Sequence, residues 1–335
     1  MSVVIKATGS SIPANRVTND DLAKIIDTDD EWIRSHTGIG CRHFADDGKV
    51  TSDLAAEAGR QALERAGLTP DQIDVLLVGT ATPDYFGFPS TSCIVQAKLG
   101  ATNAAVFDIT AGCTGFIYGI DIAGSMLGQH GRKRALVIGA ETLSRIMDWD
   151  DRATCVLFGD GAGAAVLEFE AESENGILYS WLQAKGDGAD NLYLSQPVRD
   201  SAHTRHPFTS SPSVIMNGKN VYMFAVKAIT DIIEHLIAVS GYKLEDFQWI
   251  VPHQANARIV QAAAKRFGIP ENKFYMNMEE YANTSAASVP IAFDEMATKG
   301  LLKKGDLVMT MGFGAGLTYG GDRKSTRLNS SHRIR

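Results

Sequence analysis

The chain rhymes with itself. A helical stretch closing at Ala66-Gly67 leads through Asp71-Gln72-Ile73-Asp74 into the apolar run Val75-Leu76-Leu77-Val78, and later Ser240-Gly241 leads through Glu245-Asp246-Phe247-Gln248 into Trp249-Ile250-Val251. Each run is followed by a polar loop, GTATPD in one case and PHQAN in the other. Lys98-Leu99-Gly100 and Arg266-Phe267-Gly268 then each close a helix, and residues 135–143 match residues 307–317. Three correspondences in the same order imply a duplicated fold. The apolar runs at 74–79, 104–107, 135–139, 249–251 and 307–311 alternate with helix-period stretches at 52–66, 113–127, 222–239 and 255–267. Strands that read as continuous apolar runs lie in sheets covered on both faces, so the fold class is α/β. The acidic stretch EFEAESENG interrupts the pattern and divides the chain into halves at 1–171 and 172–320. The last fifteen residues, GDRKSTRLNSSHRIR, are polar, basic and aperiodic; they are expected to stand outside the fold as a non-native tail, 321–335.

With 335 residues, 44% hydrophobic and 21% charged, the chain has ample length for a large core. No apolar run approaches the roughly 20 residues a membrane helix needs, and MSVVIKATGSSIP reads as a first strand rather than a signal peptide. Cysteines 41, 93, 113 and 155 are far apart with no C-x-x-C, which argues against a disulfide framework or a zinc site and for a reducing cytoplasm. A formal charge of −7 argues against nucleic acid as partner, although a local basic patch would still receive an acidic protein.

The segment VFDITAGCTGFIYGIDIAGSMLG reads as strand, turn, then a helix beginning near Cys113. Small neighbours (Ala111, Gly112, Thr114, Gly115) let backbone and substrate approach. A thiol at a helix N-terminus is expected to have its pKa lowered from ~8.5 towards neutrality, as thioester exchange favours. The bland alternative is a buried structural cysteine, the reading given to Cys41, Cys93 and Cys155.

VPHQANARI puts His253 just past a strand end, where sites of α/β sheets commonly lie; alternatively it caps a turn. YANTSAASVP puts Asn283 at the opening of a helix, where asparagine is commonly an N-cap. The duplication makes Asn283 the counterpart of Cys113 and the His253 loop the counterpart of the loop after Val78, so the three are expected to converge on one cleft. MGFGAGLTYG is a tight turn whose backbone N–H groups at Gly314 and Ala315, with that of Cys113, would form an oxyanion hole. FGDGAGAAV lacks the helix context of a dinucleotide loop and the Gly-Lys-Ser/Thr of a phosphate loop, and is read as a turn between strands.

Six segments together carry a resemblance: DTDDEWIRSHTGI, DITAGCTGF, DRATCVLFGDGAGA, VPHQANARI, NTSAASVP and GFGAGLTYG. From Met1 to about Gly320 the chain resembles the β-ketoacyl-acyl-carrier-protein synthase III family, condensing enzymes with a thiolase-like fold. The resemblance implies duplicated αβαβα halves in a five-layered α/β/α/β/α homodimer. The Cys-His-Asn set is unlike the Cys-His-His of elongating synthases. It implies that acyl-CoA acylates Cys113, and that His253 and Asn283 then hold malonyl-carrier protein as it decarboxylates and attacks, giving 3-oxoacyl-carrier protein, CO2 and CoA, with no metal or redox cofactor. Trp32 and Arg152 would clamp the adenine of CoA, and Gly218, Tyr222 and Asn256 would line the pantetheine tunnel. Gln254, Arg258, Lys265 and Arg266 would face the acidic carrier protein, and Phe86 and Phe88 would reach the primer pocket, across the dimer interface, favouring short primers. Trp32 as core packing and Lys265/Arg266 as a solvated helix face are the plain alternatives. The chain departs from its relatives in several ways. His36 stands where arginine is frequent, and Met223 where some relatives have a lysine of the carrier patch. Residues 195–213 are longer than expected and would form a flap near the CoA entrance.

Three rival readings remain. One is a related condensing enzyme making a polyketide or other secondary-metabolite starter, told apart by malonyl-CoA against malonyl-carrier protein as second substrate. Another is a Cys-His-Asn hydrolase, which would release free acid and would not need duplicated halves. The last is a non-catalytic scaffold that binds carrier protein, which would form no acyl-cysteine.

Overall fold

The computed structural model describes residues 2–171, 173, 175–194 and 213–325. The strands are β1 (Ser2–Ser11), β2 (Asn15–Thr18), β3 (Cys41–Phe44), β4 (Val75–Gly79), β5 (Ala105–Ile109), β6 (Arg134–Glu141), β7 (Gly161–Glu170), β8 (Gly176–Ala184), β9 (Leu192–Leu194), β10 (Val214–Met216), β11 (Trp249–Pro252), β12 (Leu307–Gly314) and β13 (Thr318–Ser325). The helices are α1 (Asn19–Leu22), α2 (Asp30–Thr37), α3 (Thr51–Ala66), α4 (Thr91–Leu99), α5 (Gly115–Met126), α6 (Arg152–Cys155), α7 (Gly218–Ala238), α8 (Ala257–Phe267), α9 (Met278–Tyr281) and α10 (Ser288–Thr298).

The first large sheet runs β1-β7-β6-β4-β5 and the second β8-β13-β12-β11. In both, two antiparallel neighbours are followed by a parallel one. The parallel partner β5 beside β4 also has an echo, an isolated parallel bridge between Ile250 and Phe274. The rhyme in the sequence is therefore a rhyme in topology. The first sheet ends with β7 at Glu170 and the second begins with β8 at Gly176.

Side-chain alternation on these strands fills three cores. Leu76, Val78, Leu136 and Ile138 face outward to α3, whereas Val75, Leu77, Ala135 and Val137 face inward. In the second sheet Ile250, Met309 and Met311 pack under α7 and α8, while Val251 and Val308 face the same central core. That core is held by α5 (Phe116, Ile117, Ile120) and α10 (Val289, Ala292, Phe293). The order is helices, sheet, two central helices, sheet, helices: five layers, and a period of two with both faces buried explains why the runs read as continuously apolar. The inferred helix ends hold, with Gly67, Gly100 and Gly268 in the left-handed cap at φ 67°, 80° and 65°.

Two expectations change. The segment read as a tail from 321 is, up to Ser325, the second half of β13, paired with both β12 and β8, and Asp322 and Lys324 are buried within it. Its polar composition hid a strand whose charges face each other, Lys324 Nζ lying 3.0 Å from Asp322 Oδ1. FGDGAGAAV is a turn only at its start; from Gly161 it is β7. A Cβ on Gly163 would sit 2.6 Å from Ile291 N, so this glycine lets α10 lie against the strand. Residues 195–212 of the expected flap, and 326–335, lie outside the described residues. Among the described residues no helix is long and apolar enough to cross a membrane.

Candidate active site

The two central helices start near one another, and each carries one candidate residue at its head. Cys113 stands in a 3-10 turn two residues ahead of α5, after β5, and Asn283 precedes the corresponding turn ahead of α10. His253 directly follows β11. Cys113, His253 and Asn283 all line one cavity, together with Gly218, Tyr222, Asn256 and Gly314. Its remaining wall is mostly apolar, including Leu157, Phe158, Met216, Val221, Phe224 and Ile259.

Each member of the trio is fixed by its backbone. Gly112 takes φ 51° to turn the chain into Cys113. A Cβ on Gly314 would lie 2.7 Å from Cys113 Cβ and 2.8 Å from its Sγ, so the β12–β13 turn can close on the thiol only with glycine there. The backbones of Ala315 and Cys113 itself interact with the sulfur. The His253 N–H donates to Met311 O at 2.8 Å, and its ring meets Phe313 edge-on at 5.4 Å between centroids. The Asn283 N–H donates to Leu157 O and its carbonyl accepts from the Gly159 N–H, both at 3.0 Å.

Burial sets the charge state. The Cys113 thiol is pushed up to about 11 by desolvation, with the buried Glu141 carboxylate adding to the rise and contacts from Ser285, Ala315 and its own backbone opposing it. The expectation of a thiol lowered towards neutrality is therefore corrected: the sulfur sits before the first turn of α5, under a closed lid of β12, where loss of water outweighs the helix end. His253 is driven down to about 3 by desolvation and is a neutral imidazole at pH 7.

The hydrogen bonds assign the ring's proton. His253 Nδ1 lies 2.7 Å from Ser288 Oγ, and the Gln254 N–H donates to the same oxygen at 3.4 Å. Among the described residues the Ser288 hydroxyl meets no other acceptor, so its hydrogen goes to Nδ1, which leaves the imidazole hydrogen on Nε2. Asn283 Oδ1 accepts from the Ser285 N–H at 2.9 Å, so its NH2 is the end left to donate. The site thus offers two neutral donors beside a buried thiol.

Other expected residues divide. Trp32 is half-buried, with His36 stacked on it at 4.6 Å and the Arg152 guanidinium 5.4 Å from its ring centre. Asn256 Nδ2 donates to His36 O and Arg258 Nε to Ser35 O, both at 3.0 Å, which docks α2 against the start of α8. Arg258, Lys265 and Arg266 are exposed on α8, with Arg266 3.0 Å from Glu234. Gln254 is not available to a partner. It is buried, donates to Pro252 O at 2.7 Å and Tyr275 O at 3.1 Å, and accepts from the Asn277 N–H at 2.9 Å. A glutamine in a polar loop reads as surface, but the loop folds inward. Phe86 and Phe88 do not line the cavity of their own chain and are 50% and 90% exposed.

Sequence reasoning missed Ser288, Ser285 and Glu141. The serines lie in the small-residue run NTSAASVP, where a hydroxyl one helical turn past Asn283 was the available signal. Glu141, fully buried and receiving the Ala81 N–H at 3.1 Å, is pushed up to about 7 by desolvation; an acidic residue ending a strand gives no sign of burial.

Comparison with known proteins agrees with this geometry. Residues 107–186 match the family described as 3-oxoacyl-[acyl-carrier-protein (ACP)] synthase III, and residues 237–322 match its C-terminal counterpart. The β-ketoacyl-[acyl-carrier-protein] synthase III of Caldanaerobacter subterraneus is 49% identical over 325 residues, covering 94% of this chain and 95% of that protein. That of Clostridium acetobutylicum is 46% identical over 319 residues, covering 95% and 97%. The crystal structure of 3-oxoacyl-[acyl-carrier-protein] synthase III from Aquifex aeolicus superposes with a TM-score of 0.89 at 40% identity, covering 96% of this chain and 99% of that one. The priming β-ketosynthase of the R1128 polyketide pathway does so with 0.88 at 32% identity, covering 97% and 96%. The chain belongs to the β-ketoacyl-[acyl-carrier-protein] synthase III family, initiating condensing enzymes of fatty-acid synthesis built on the thiolase-like fold.

Proposed function

We propose that Cys113 is the residue acylated by acyl-CoA and that His253 and Asn283 stabilise the enolate formed when malonyl-carrier protein decarboxylates. The observation that carries this is the convergence of the three on one cavity, which a thiol and two neutral donors line together. A neutral donor holds a developing oxyanion without handing a proton to the carbanion, which would otherwise be quenched before it attacks the Cys113 thioester. His253, kept neutral by burial, meets that requirement. Cys113 loses its proton as it attacks, since burial disfavours a standing thiolate, and the departing CoA sulfur takes up a proton to leave as the free thiol. The backbone around Cys113, Gly314 and Ala315 forms the second oxyanion hole, for the acyl carbonyl.

Trp32 and Arg152 receive the adenine of CoA, with His36 stacked beside them. Gly218, Tyr222 and Asn256 border the pantetheine path into the apolar cavity. Arg258, Lys265 and Arg266, exposed on α8, receive the acidic carrier protein. The chain works as a cytoplasmic homodimer without a catalytic cofactor. In support, β5 is an edge strand with Phe107 exposed, near a loop whose Phe86 and Phe88 are uncovered. Those phenylalanines close the primer pocket of the second copy and favour short primers. A series of C2 to C12 acyl-CoA primers tests this, and preference for the long chains would overturn it.

Intact-mass measurement after adding acyl-CoA tests the nucleophile: the wild type gains one acyl group and Cys113→Ser none. Acylation persisting in the variant would refute the assignment. His253→Ala is expected to acylate and then fail to release CO2 from malonyl-carrier protein. A second reading, a starter enzyme for polyketide synthesis, is favoured by the likeness to the R1128 priming enzyme; turnover of malonyl-CoA in place of malonyl-carrier protein would support it.

A further inference from the structure

On the far side of β3 from the buried Arg42, three metal-capable side chains face one another outside the catalytic cavity. Residues two apart on a strand point the same way, so Cys41 and His43 of β3 share a face, and Glu280 of α9 meets them. The sulfur, a ring nitrogen and a carboxylate oxygen all lie within 4.8 Å of one another. We propose that Cys41 Sγ, His43 Nε2 and a Glu280 carboxylate oxygen form a binding site for a zinc-type divalent cation, with the fourth position open to water.

Three observations carry this. First, His43 Nδ1 lies 2.7 Å from Pro13 O, and a carbonyl only accepts, so Nδ1 bears the hydrogen and Nε2 presents a lone pair. His43 is 9% exposed, and Nε2 is buried with no hydrogen-bond partner. It faces Glu280 Oε1 at 3.4 Å, a contact that either a proton on Nε2 or a metal ion between the two would make attractive. Second, the spacings fit: zinc bonds of about 2.3 Å to sulfur and about 2.0–2.1 Å to nitrogen and oxygen put tetrahedral ligand pairs about 3.3–3.5 Å apart. Cys41 Sγ is 3.3 Å from Glu280 Oε2 and His43 Nε2 is 3.4 Å from Glu280 Oε1, so the carboxylate meets each partner at ligand-pair distance with a different oxygen, while the thiol also reaches Glu280 O at 3.0 Å. Third, the donor set of one thiolate, one imidazole and one carboxylate suits zinc rather than calcium or magnesium, and the Nδ1–carbonyl bond is the outer support such histidines commonly have.

The charges are consistent. Coordination replaces the Cys41 S–H proton, which leaves to solvent, so a divalent ion with one thiolate and one carboxylate is neutral. Arg16 is the competitor: it grips Glu280 with Nε at 2.7 Å and Nη2 at 2.9 Å, but its side chain is 48% exposed and can swing into water. Burial and the neighbouring Glu280 push the Cys41 thiol up to about 11, a rise that the charges of Arg16 and Arg42 only partly oppose, so the thiol gives up its proton on coordination and not before it; Arg42 Nη1 donates to Asn19 Oδ1 at 2.7 Å and Nη2 to Val156 O at 2.8 Å. Glu280 is three residues ahead of Asn283, so an ion here would staple β3 to the segment that carries the site's amide.

The test uses the full chain, stripped with a chelator and titrated with Zn2+ against a chromophoric chelator and with Co2+ by absorption. One equivalent is expected to bind, Co2+ giving an intense thiolate charge-transfer band. Cys41→Ser should abolish the band and His43→Gln weaken binding by at least about tenfold. Cys113→Ser and Cys93→Ser should leave both unchanged, and Arg16→Ala, which frees Glu280 and keeps every ligand, should tighten binding. A chain that takes up no stoichiometric ion, a band that survives Cys41→Ser, or an Arg16→Ala chain that binds no more tightly would each overturn the site. Should Cys41→Ser fail to fold, His43→Gln and Arg16→Ala decide it.

Discussion

Ser288→Ala is expected to separate the two half-reactions proposed for this site. The hydroxyl lies 2.7 Å from His253 Nδ1 and is itself anchored by the Gln254 N–H, so it holds both the ring's orientation and its tautomer. Removing it leaves a buried ring nitrogen without its partner, in a histidine only 2% exposed. An unsatisfied buried group of this kind costs about 1–3 kcal/mol. The ring can recover part of that by turning or by moving its hydrogen to Nδ1, and either change withdraws the Nε2 donor from the cavity. At about 1.4 kcal/mol per decade, decarboxylation of malonyl-carrier protein should slow by roughly 5- to 150-fold. Acylation of Cys113 draws on the thiol and the β12–β13 turn, and should stay within about twofold of wild type. The assay measures acyl-enzyme formation by intact mass and CO2 release from malonyl-carrier protein on the pre-acylated enzyme. CO2 release at the wild-type rate would refute the tautomer argument. Both half-reactions falling together with a lower melting temperature would reduce Ser288 to a packing role.

Three further outcomes are expected. Alkylation of Cys113 by iodoacetamide should rise about tenfold per pH unit through the neutral range, because the thiol ionises only near 11, and a plateau between pH 6 and 8 would contradict this. His253 takes its proton only near pH 3 when folded but near 6.5 when unfolded, so between those values the unfolded chain binds the extra proton and stability falls as pH falls. His253→Gln should remove about 1.4 kcal/mol per pH unit from that slope in denaturant titrations, and an unchanged slope would show that His253 is charged in the fold. Gly314→Ala forces a Cβ within 2.7 Å of Cys113 Cβ, and strain of about 1–3 kcal/mol at that contact should slow acylation roughly 5- to 150-fold while circular dichroism stays native; unaltered acylation would mean that the turn is not in register with the thiol.

Much of the architecture was legible because it is written in local periods. Val75 to Val78 read as a two-sided buried strand, and they are divided between the outer and central cores. The glycines at 67, 100 and 268 read as helix ends, and they adopt the left-handed caps. The trio of Cys113, His253 and Asn283 was legible through the repeat, which made separate loops equivalent before any contact was known. The misreadings came where identity and environment diverge. Gln254 looked like surface and is buried; Asp322 and Lys324 looked like a solvated tail and are inside a sheet. Cys113 looked like an activated thiol from its helix end, but the closing β12–β13 turn removes the water that would favour its charge.

What the sequence by itself determined is the set of parts: a repeated α/β unit, the candidate residues Cys113, His253 and Asn283 at loops that the repeat relates, and a family membership that those motifs carry. What only the tertiary structure decided is their protonation and partnership. Which hydroxyl holds His253, which end of Asn283 is free, and that Cys41, His43 and Glu280 meet although the last is far along the chain from the first two are outcomes of packing. Periodicity is a property of neighbours in the chain, whereas desolvation and hydrogen-bond pairing depend on segments distant in sequence, so the charge of a group is settled only when the layers close around it.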